Sequence, residues 1–223
     1  MNEQTYSSGK AKSWRDRAEF SARMKIYNGL EATVPLLECA SILDVGATAD
    51  DTKDSSNFFE KTFPHPERIT ALSDQDASWM EEKWAGLKFV QGNALHMPFE
   101  NDTFDLVFSN AVIEHVGNRK NQATFIKECV RVAKKHVFIT TPNRYYPIEL
   151  HTVLPLIHWL PPAVYRRILL GLNKPFFASE DNLNLLSKKD LVKIMDEIKG
   201  VSYKLNYIRF LGFQSNILLT ITK

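Results

Sequence analysis

Polar residues recur in this chain just where apolar runs end, and their types and spacing could do chemistry. Asp44 and Gly46 interrupt and close the run Ile42-Leu43-Asp44-Val45, and Ser73-Asp74 follow Ile69 to Leu72. Asn93 follows Phe89-Val90, and Ser109-Asn110 follow Leu106-Val107-Phe108. A carboxylate such as Asp74 can accept both hydroxyls of a ribose, and Asn93 can offer its amide to an adenine edge. Gly46 permits a tight turn and close backbone approach, admitting a carboxylate or phosphate near the next helix. The set points to an adenosine-type cofactor. A dinucleotide turn would carry two more glycines where Thr48 and Asp50 stand, which disfavours a nicotinamide-dependent oxidoreductase.

In an open α/β sheet, ligands bind beyond the carboxyl ends of the strands. The chain supplies the elements this requires. Strands are expected at Ile42–Val45, Ile69–Leu72, Leu87–Val90, Thr103–Phe108 and Lys135–Thr140. Helices are expected at Ser56–Lys61, Asp76–Trp84 and Asn121–Ala133, the last with Phe125, Cys129 and Val132 near one face. An N-terminal helix is expected from Ser13, with Asp16 as capping partner, through Phe20, Met24 and Tyr27 to Asn28-Gly29. This alternation predicts a largely parallel sheet. After Pro142 the rhythm breaks, and residues 143–186 are rich in aromatics, prolines and leucines. A helix over Lys188–Ile198, capped by Ser187 and Asp190, and strands at Tyr203–Arg209 and Ser215–Thr222 close the chain.

The bulk composition removes several function classes. With 223 residues the chain suits one domain. A net charge of +2 gives no broad basic field for nucleic acid. Cys39 and Cys129 have no partners at metal spacing and read as buried free thiols of a reducing, cytoplasmic setting. The start Met1-Asn2-Glu3-Gln4 is polar, unlike a secretory signal. The longest apolar region, Val153 to Leu172, is broken by Pro155, Pro161, Pro162, Arg166 and Arg167, so no spanning helix is expected.

Three runs follow one another in order: Ile42-Leu43-Asp44-Val45-Gly46, then Gly92-Asn93-Ala94 with Met97-Pro98-Phe99, then Phe104 through Val116 with Ser109-Asn110 and Glu114-His115. Together they resemble the class I S-adenosylmethionine-dependent methyltransferases, in their small-molecule, type 11-like branch. The resemblance implies a Rossmann-like α/β fold with a seven-stranded, mostly parallel sheet, an antiparallel last strand and helices on both faces. Residues 1–35 would form a helical extension, and 143–186 a helical insertion or lid on the substrate side. It also implies S-adenosyl-L-methionine as cofactor, held by Asp44, Gly46, Ala47, Thr48, Ser73, Asp74, Asn93, Ala94, Asn110 and Ala111. Ser73, Asp74 and Asp76 are rivals for the ribose. Replacing Gly46 by valine is expected to block the cofactor and spare the fold.

His115, with Glu114 beside it, is the first candidate for a general base and His151 the second; the alternative for His115 is a hydrogen bond to a neighbouring loop carbonyl, and for His151 a satisfied structural role. No metal is expected, because Ala111 occupies the first position of a Glu-x-x-Glu-His run associated with a metal in related quinone-pathway enzymes. The expected reaction is methyl transfer to a small molecule, at a hydroxyl oxygen, of a sugar or lipid-linked glycan. A peripheral membrane contact through Val153–Leu172 would accompany a lipid-bearing acceptor. The alternative is a non-catalytic module with a weakened cofactor site.

Overall fold

The computed structural model describes residues 14–53 and 55–223, with side chains from residue 19 onward. Ser13 and residues 1–12, and with them the expected cap of the first helix, lie outside the described residues. In chain order the elements are α1 (Trp14–Glu31), β1 (Ile42–Val45), α2 (Phe58–Thr62), β2 (Ile69–Ser73), α3 (Trp79–Lys83), β3 (Lys88–Gln91) and β4 (Phe104–Asn110). There follow α4 (Arg119–Val132), β5 (Ala133–Pro142), α5 (Pro162–Gly171), α6 (Pro175–Ala178), α7 (Lys188–Asp196), β6 (Ser202–Phe210) and β7 (Phe213–Thr222).

The seven strands form one sheet in the order β3-β2-β1-β4-β5-β7-β6. β1 to β5 run parallel, and β7 is antiparallel to both β5 and β6. β1 pairs with β4 although β2 and β3 intervene in the chain, so the strand order reverses there and opens a crevice at the carboxyl ends. Side chains alternate across the sheet. Ile42, Leu106 and Phe108 face a core under α1 and α2, whereas Leu43, Val45 and Val107 face one under α4 and α7. Phe59 stacks on Phe108 at 4.5 Å between centroids, anchoring α2 to the first face. Cys39 and Cys129 are buried and free.

The seven-stranded mixed sheet expected from the sequence is present. Boundaries differ where side chains compete with the backbone. The helix expected over Asp76–Trp84 begins only at Trp79, because the Asp76 carboxylate accepts the N–H of Ser78 at 3.0 Å and holds a turn there. α2 begins at Phe58, since Asn57 sits in left-handed conformation at φ 47°. At α7 the capping box of Ser187 and Asp190 is formed as expected. Residues 143–186 contain α5, α6 and a 3₁₀ turn at Ile157–Trp159, packed on a small separate cluster of Tyr165, Leu169 and Ala178.

Candidate functional site

The turn after β1 is held by tertiary contacts rather than by glycines. Gly46 has φ +95°, a backbone state that L side chains rarely adopt. Its N–H and that of Ala47 both donate to the carbonyl of Leu72, at 2.8 and 3.2 Å. Thr48 is clamped by the Asn57 side chain, which accepts the Thr48 N–H at 3.0 Å and donates to the Thr48 carbonyl at 2.9 Å. Two corrections follow. The N–H groups of residues 46–48 are already engaged, and α2 starts only at Phe58, so the turn offers no helix terminus to a phosphate. A Cβ on Gly46 would lie 2.2 Å from Val112 Cγ2, so valine there would disturb the packing as well as any ligand.

Two cavities adjoin this turn. The first, of about 360 Å³, is bordered by Ser73, Asp74, Asn93, Ala94, Val112 and His115. The second, of about 240 Å³, is bordered by Glu19, Arg23, Asp44, Glu60 and Asn110. Gly46, Ala47, Thr48 and Ala111 border both. All ten expected cofactor residues thus border one cavity or the other. Asp76 borders neither, being occupied with Ser78. Asn93 shapes its own loop by accepting the N–H of Leu95 at 2.8 Å, and Asn110 accepts the Thr140 hydroxyl at 2.7 Å.

The second cavity concentrates charge that the protein leaves unanswered. Burial and the charge of Glu60 push the Asp44 carboxyl well above the usual range, and burial raises Glu60 as well. The pair therefore retains a proton. That proton lies in a hydrogen bond between the two carboxyls; apart from Asp44, neither Glu60 oxygen has a donor among the described residues, and Arg23 Nε has no acceptor. Burial lowers the Arg23 guanidinium, while the charges of Glu19 and Glu114 act to raise it. A cavity with a carboxyl pair sharing a proton on one side and a guanidinium with an unpartnered Nε on the other suits an amino-acid zwitterion.

Glu114, His115 and His151 come together where residues 143–186 meet the sheet, each offering one atom within 4.8 Å of the other two. Glu114 is fully buried. Its Oε2 accepts the Thr141 hydroxyl at 3.0 Å, and its Oε1 has no partner among the described residues. His115 Nδ1 lies 2.6 Å from the carbonyl of Asn182, the structural role weighed against catalysis, yet its ring still borders the first cavity. The rings of His115 and His151 meet edge to face at 4.9 Å. His151 Nδ1 lies 2.7 Å from Glu149 Oε1, and Glu149 is buried. Burial alone would lower the His151 imidazole, but the bond to Glu149 and the charges of Glu149 and Glu114 raise it above its ordinary value. Such a spacing can pass a proton, and it could also hold a divalent cation, which the sequence reading does not expect.

Some residues in this arrangement carry no sequence signal. Arg23 and Glu60 look like ordinary helix positions until the fold sets them beside Asp44. Asn57 could have been suspected as an Asn just before a helix. Of the aromatics, Tyr146 and His158 are buried and bonded to each other, His158 Nε2 to the Tyr146 carbonyl at 2.7 Å, while Tyr145 and Trp159 are exposed.

Residues 65–140 match the family model described as a methyltransferase domain. The sheet order, the crevice at β1 and β4 and this match agree. The fold is the Rossmann-like fold of the S-adenosylmethionine-dependent methyltransferases. Solved structures similar to this chain include magnesium protoporphyrin IX methyltransferase from Synechocystis PCC 6803, with a TM-score of 0.58 and 11% identity, covering 98% of this chain and 90% of that one. N-methyltransferase NodS from Bradyrhizobium japonicum WM9, in complex with S-adenosyl-L-homocysteine, gives a TM-score of 0.59 and 15% identity, covering 94% and 91%. At these identities the likeness concerns the fold. A 57-residue stretch of this chain is 42% identical to norajmaline N-methyltransferase of Rauvolfia serpentina; it covers 26% of this chain and 18% of that protein.

Proposed function

We propose that this chain is an S-adenosylmethionine-dependent methyltransferase acting on a small molecule. The observation that carries the reading is the pair of cavities meeting at one turn, the first bordered by Ser73, Asp74 and Asn93 in the manner of a nucleoside site and the second bordered by Arg23 and the Asp44–Glu60 pair. Arg23 would meet the carboxylate of the cofactor's amino-acid end, and the Asp44–Glu60 pair its ammonium. Asp74 would hold the ribose, and Asn93 and Ala94 the adenine. Bound S-adenosylmethionine supplies a sulfonium-activated methyl group. The protein's own part is to align an acceptor and take up its proton.

His151 is better equipped for that proton than His115. Its Nδ1 is tied to Glu149, which fixes the ring and leaves Nε2 to act as base, while Glu114 offsets the positive charge that develops. A base so supported favours a hydroxyl acceptor, which must lose a proton on methylation. The apolar lid favours an acceptor with a hydrophobic part, such as a sugar or glycan carried on a lipid. A nitrogen acceptor is the second reading, supported by the stretch shared with an N-methyltransferase. The buried free thiols Cys39 and Cys129 support a reducing, cytoplasmic setting.

The test is incubation with methyl-labelled S-adenosylmethionine and fractionated small molecules and lipids. Label in an ether would support the reading, and label in an amine the second one. Cofactor binding with no labelled product in any fraction would leave the non-catalytic module as the better account.

A further inference from the structure

Among the described residues, large apolar side chains stand exposed at fifteen positions, and eleven of these lie between Tyr145 and Phe176. They include Leu150, Val153, Leu156, Trp159, Leu170 and Phe176, the last three 45%, 59% and 61% exposed. Scattered single cases need no explanation, but a concentration in one segment does. The lid does have an interior of its own. α5 turns Tyr165 and Leu169, one helical turn apart, inward onto Ala178, Leu154 and Ile157. Its outward face still carries Val164 and Leu170 on either side of Arg167. A helix exposed to water alone would be polar on that face.

Charge tells which partner fits. Between residues 143 and 178 the only acidic residue is Glu149, which is buried against His151, while Arg144, Arg166, Arg167 and Lys174 are basic. Arg144 is occupied with the carbonyls of His158 and Leu160, and Arg166 reaches Glu180 at 3.3 Å. Arg167 is exposed and Lys174 half-buried, neither with an acidic partner among the described residues. An exposed apolar face edged with cations, where the carboxylate reaching α5, Glu180, is paired with Arg166, is complementary to an anionic lipid surface. From this we infer that the lid, residues 145–176, docks on the surface of a membrane containing anionic lipid, with α5 lying in the plane of the headgroups. No described helix is long and apolar enough to cross the bilayer, so the contact is peripheral. It places His151, carried on the same segment, at the membrane side of the methyltransferase domain. The surface stands apart from the methyl-transfer reading and is tested without cofactor.

The experiment is co-sedimentation of the full chain with vesicles of phosphatidylcholine alone and of phosphatidylcholine with phosphatidylglycerol. Binding is expected to the anionic vesicles and to weaken in high salt. Replacing Arg167 and Lys174 together by glutamate is expected to weaken it by about 30-fold or more. Leu156→Gln with Leu170→Gln is expected to abolish it with an unchanged thermal midpoint, since both side chains are exposed in the free chain. Equal, salt-independent binding to both vesicle types would overturn the electrostatic part. Absence of vesicle binding, with light scattering showing a dimer that the leucine variant dissociates, would overturn the inference and assign the face to a second copy of the chain.

Discussion

Replacement of Glu149 by glutamine tests the acid–base arrangement through two independent readouts. Burial favours the protonated carboxyl, yet the hydrogen bond from the His151 ring, the charge of that ring, the Thr152 side chain and the His151 N–H outweigh it and hold Glu149 at about 2 against an ordinary 4.5. That displacement corresponds to about 3 kcal/mol of stabilisation of the ionised form. Glutamine keeps an acceptor for the N–H groups, so this is an upper limit on the loss, and a fall in Tm of up to roughly 10 °C is expected. The Glu149 contribution is fully present above pH 4.5 and is lost as pH falls toward 2. His151 is shifted upward, so its contribution is present below 6.5 and is lost as pH rises through its folded value. Both hold between those limits, and the Tm difference between wild type and E149Q should be largest near the middle of that window and smaller in alkali. In turnover, the acidic limb of the kcat/KM profile should lie above the ordinary histidine value in the wild type and move to lower pH in E149Q. A Tm difference independent of pH, or an acidic limb that does not move, would refute the argument that the Glu149 charge sets the state of His151.

Other perturbations bear on the turn and the cavities. Gly46→Ala should cost about 1–3 kcal/mol, from the positive φ and the clash with Val112, and Val112→Ala should restore part of that loss in the double variant while cofactor affinity stays low; thermal unfolding and calorimetry check both. Asn57→Ala removes two hydrogen bonds to Thr48 and should destabilise by about 2 kcal/mol while weakening cofactor binding, measured by urea unfolding and by titration. Asn57→Gly at the same site tolerates the left-handed backbone, so a smaller loss there would separate strain from the missing clamp. Ser187→Ala should cost about 1 kcal/mol through loss of the α7 cap, with no change in cofactor affinity.

Much of this organisation was legible in the sequence because it is local. β1, β2 and β4 announce themselves as short apolar runs, and the residues that end them are fixed by strand polarity alone. That is why Asp74, Asn93 and Asn110 could be placed at a cavity edge before any fold was known. The Ser187 and Asp190 cap lies within one turn and was legible for the same reason. The shortening of α3 was not, since Asp76 could equally start a helix or close a turn until Ser78 took its carboxylate. Arg23, Glu60 and Val112 act only across tertiary contacts, and nothing in their local sequence marks them. Glu114 and His151 were each visible as candidates, but their meeting depends on how residues 143–186 fold back, a segment without periodicity to read. Nor does the sequence around Thr48 and Asp50 show what holds that loop, because the Asn57 side chain that bonds both backbone groups of Thr48 lies nine residues on.

The central claim is that the two cavities, which share Gly46, Ala47, Thr48 and Ala111, hold one molecule, with a nucleoside at one end and an amino acid at the other. Calorimetric titration of S-adenosylmethionine into wild type, Asp74→Asn and Arg23→Met tests it most directly. Saturable binding at one site per chain is expected, weakened about tenfold or more by each substitution, while adenosine alone should lose affinity in Asp74→Asn and be indifferent to Arg23→Met. No detectable heat at millimolar cofactor, or binding unaffected by either substitution, would contradict it.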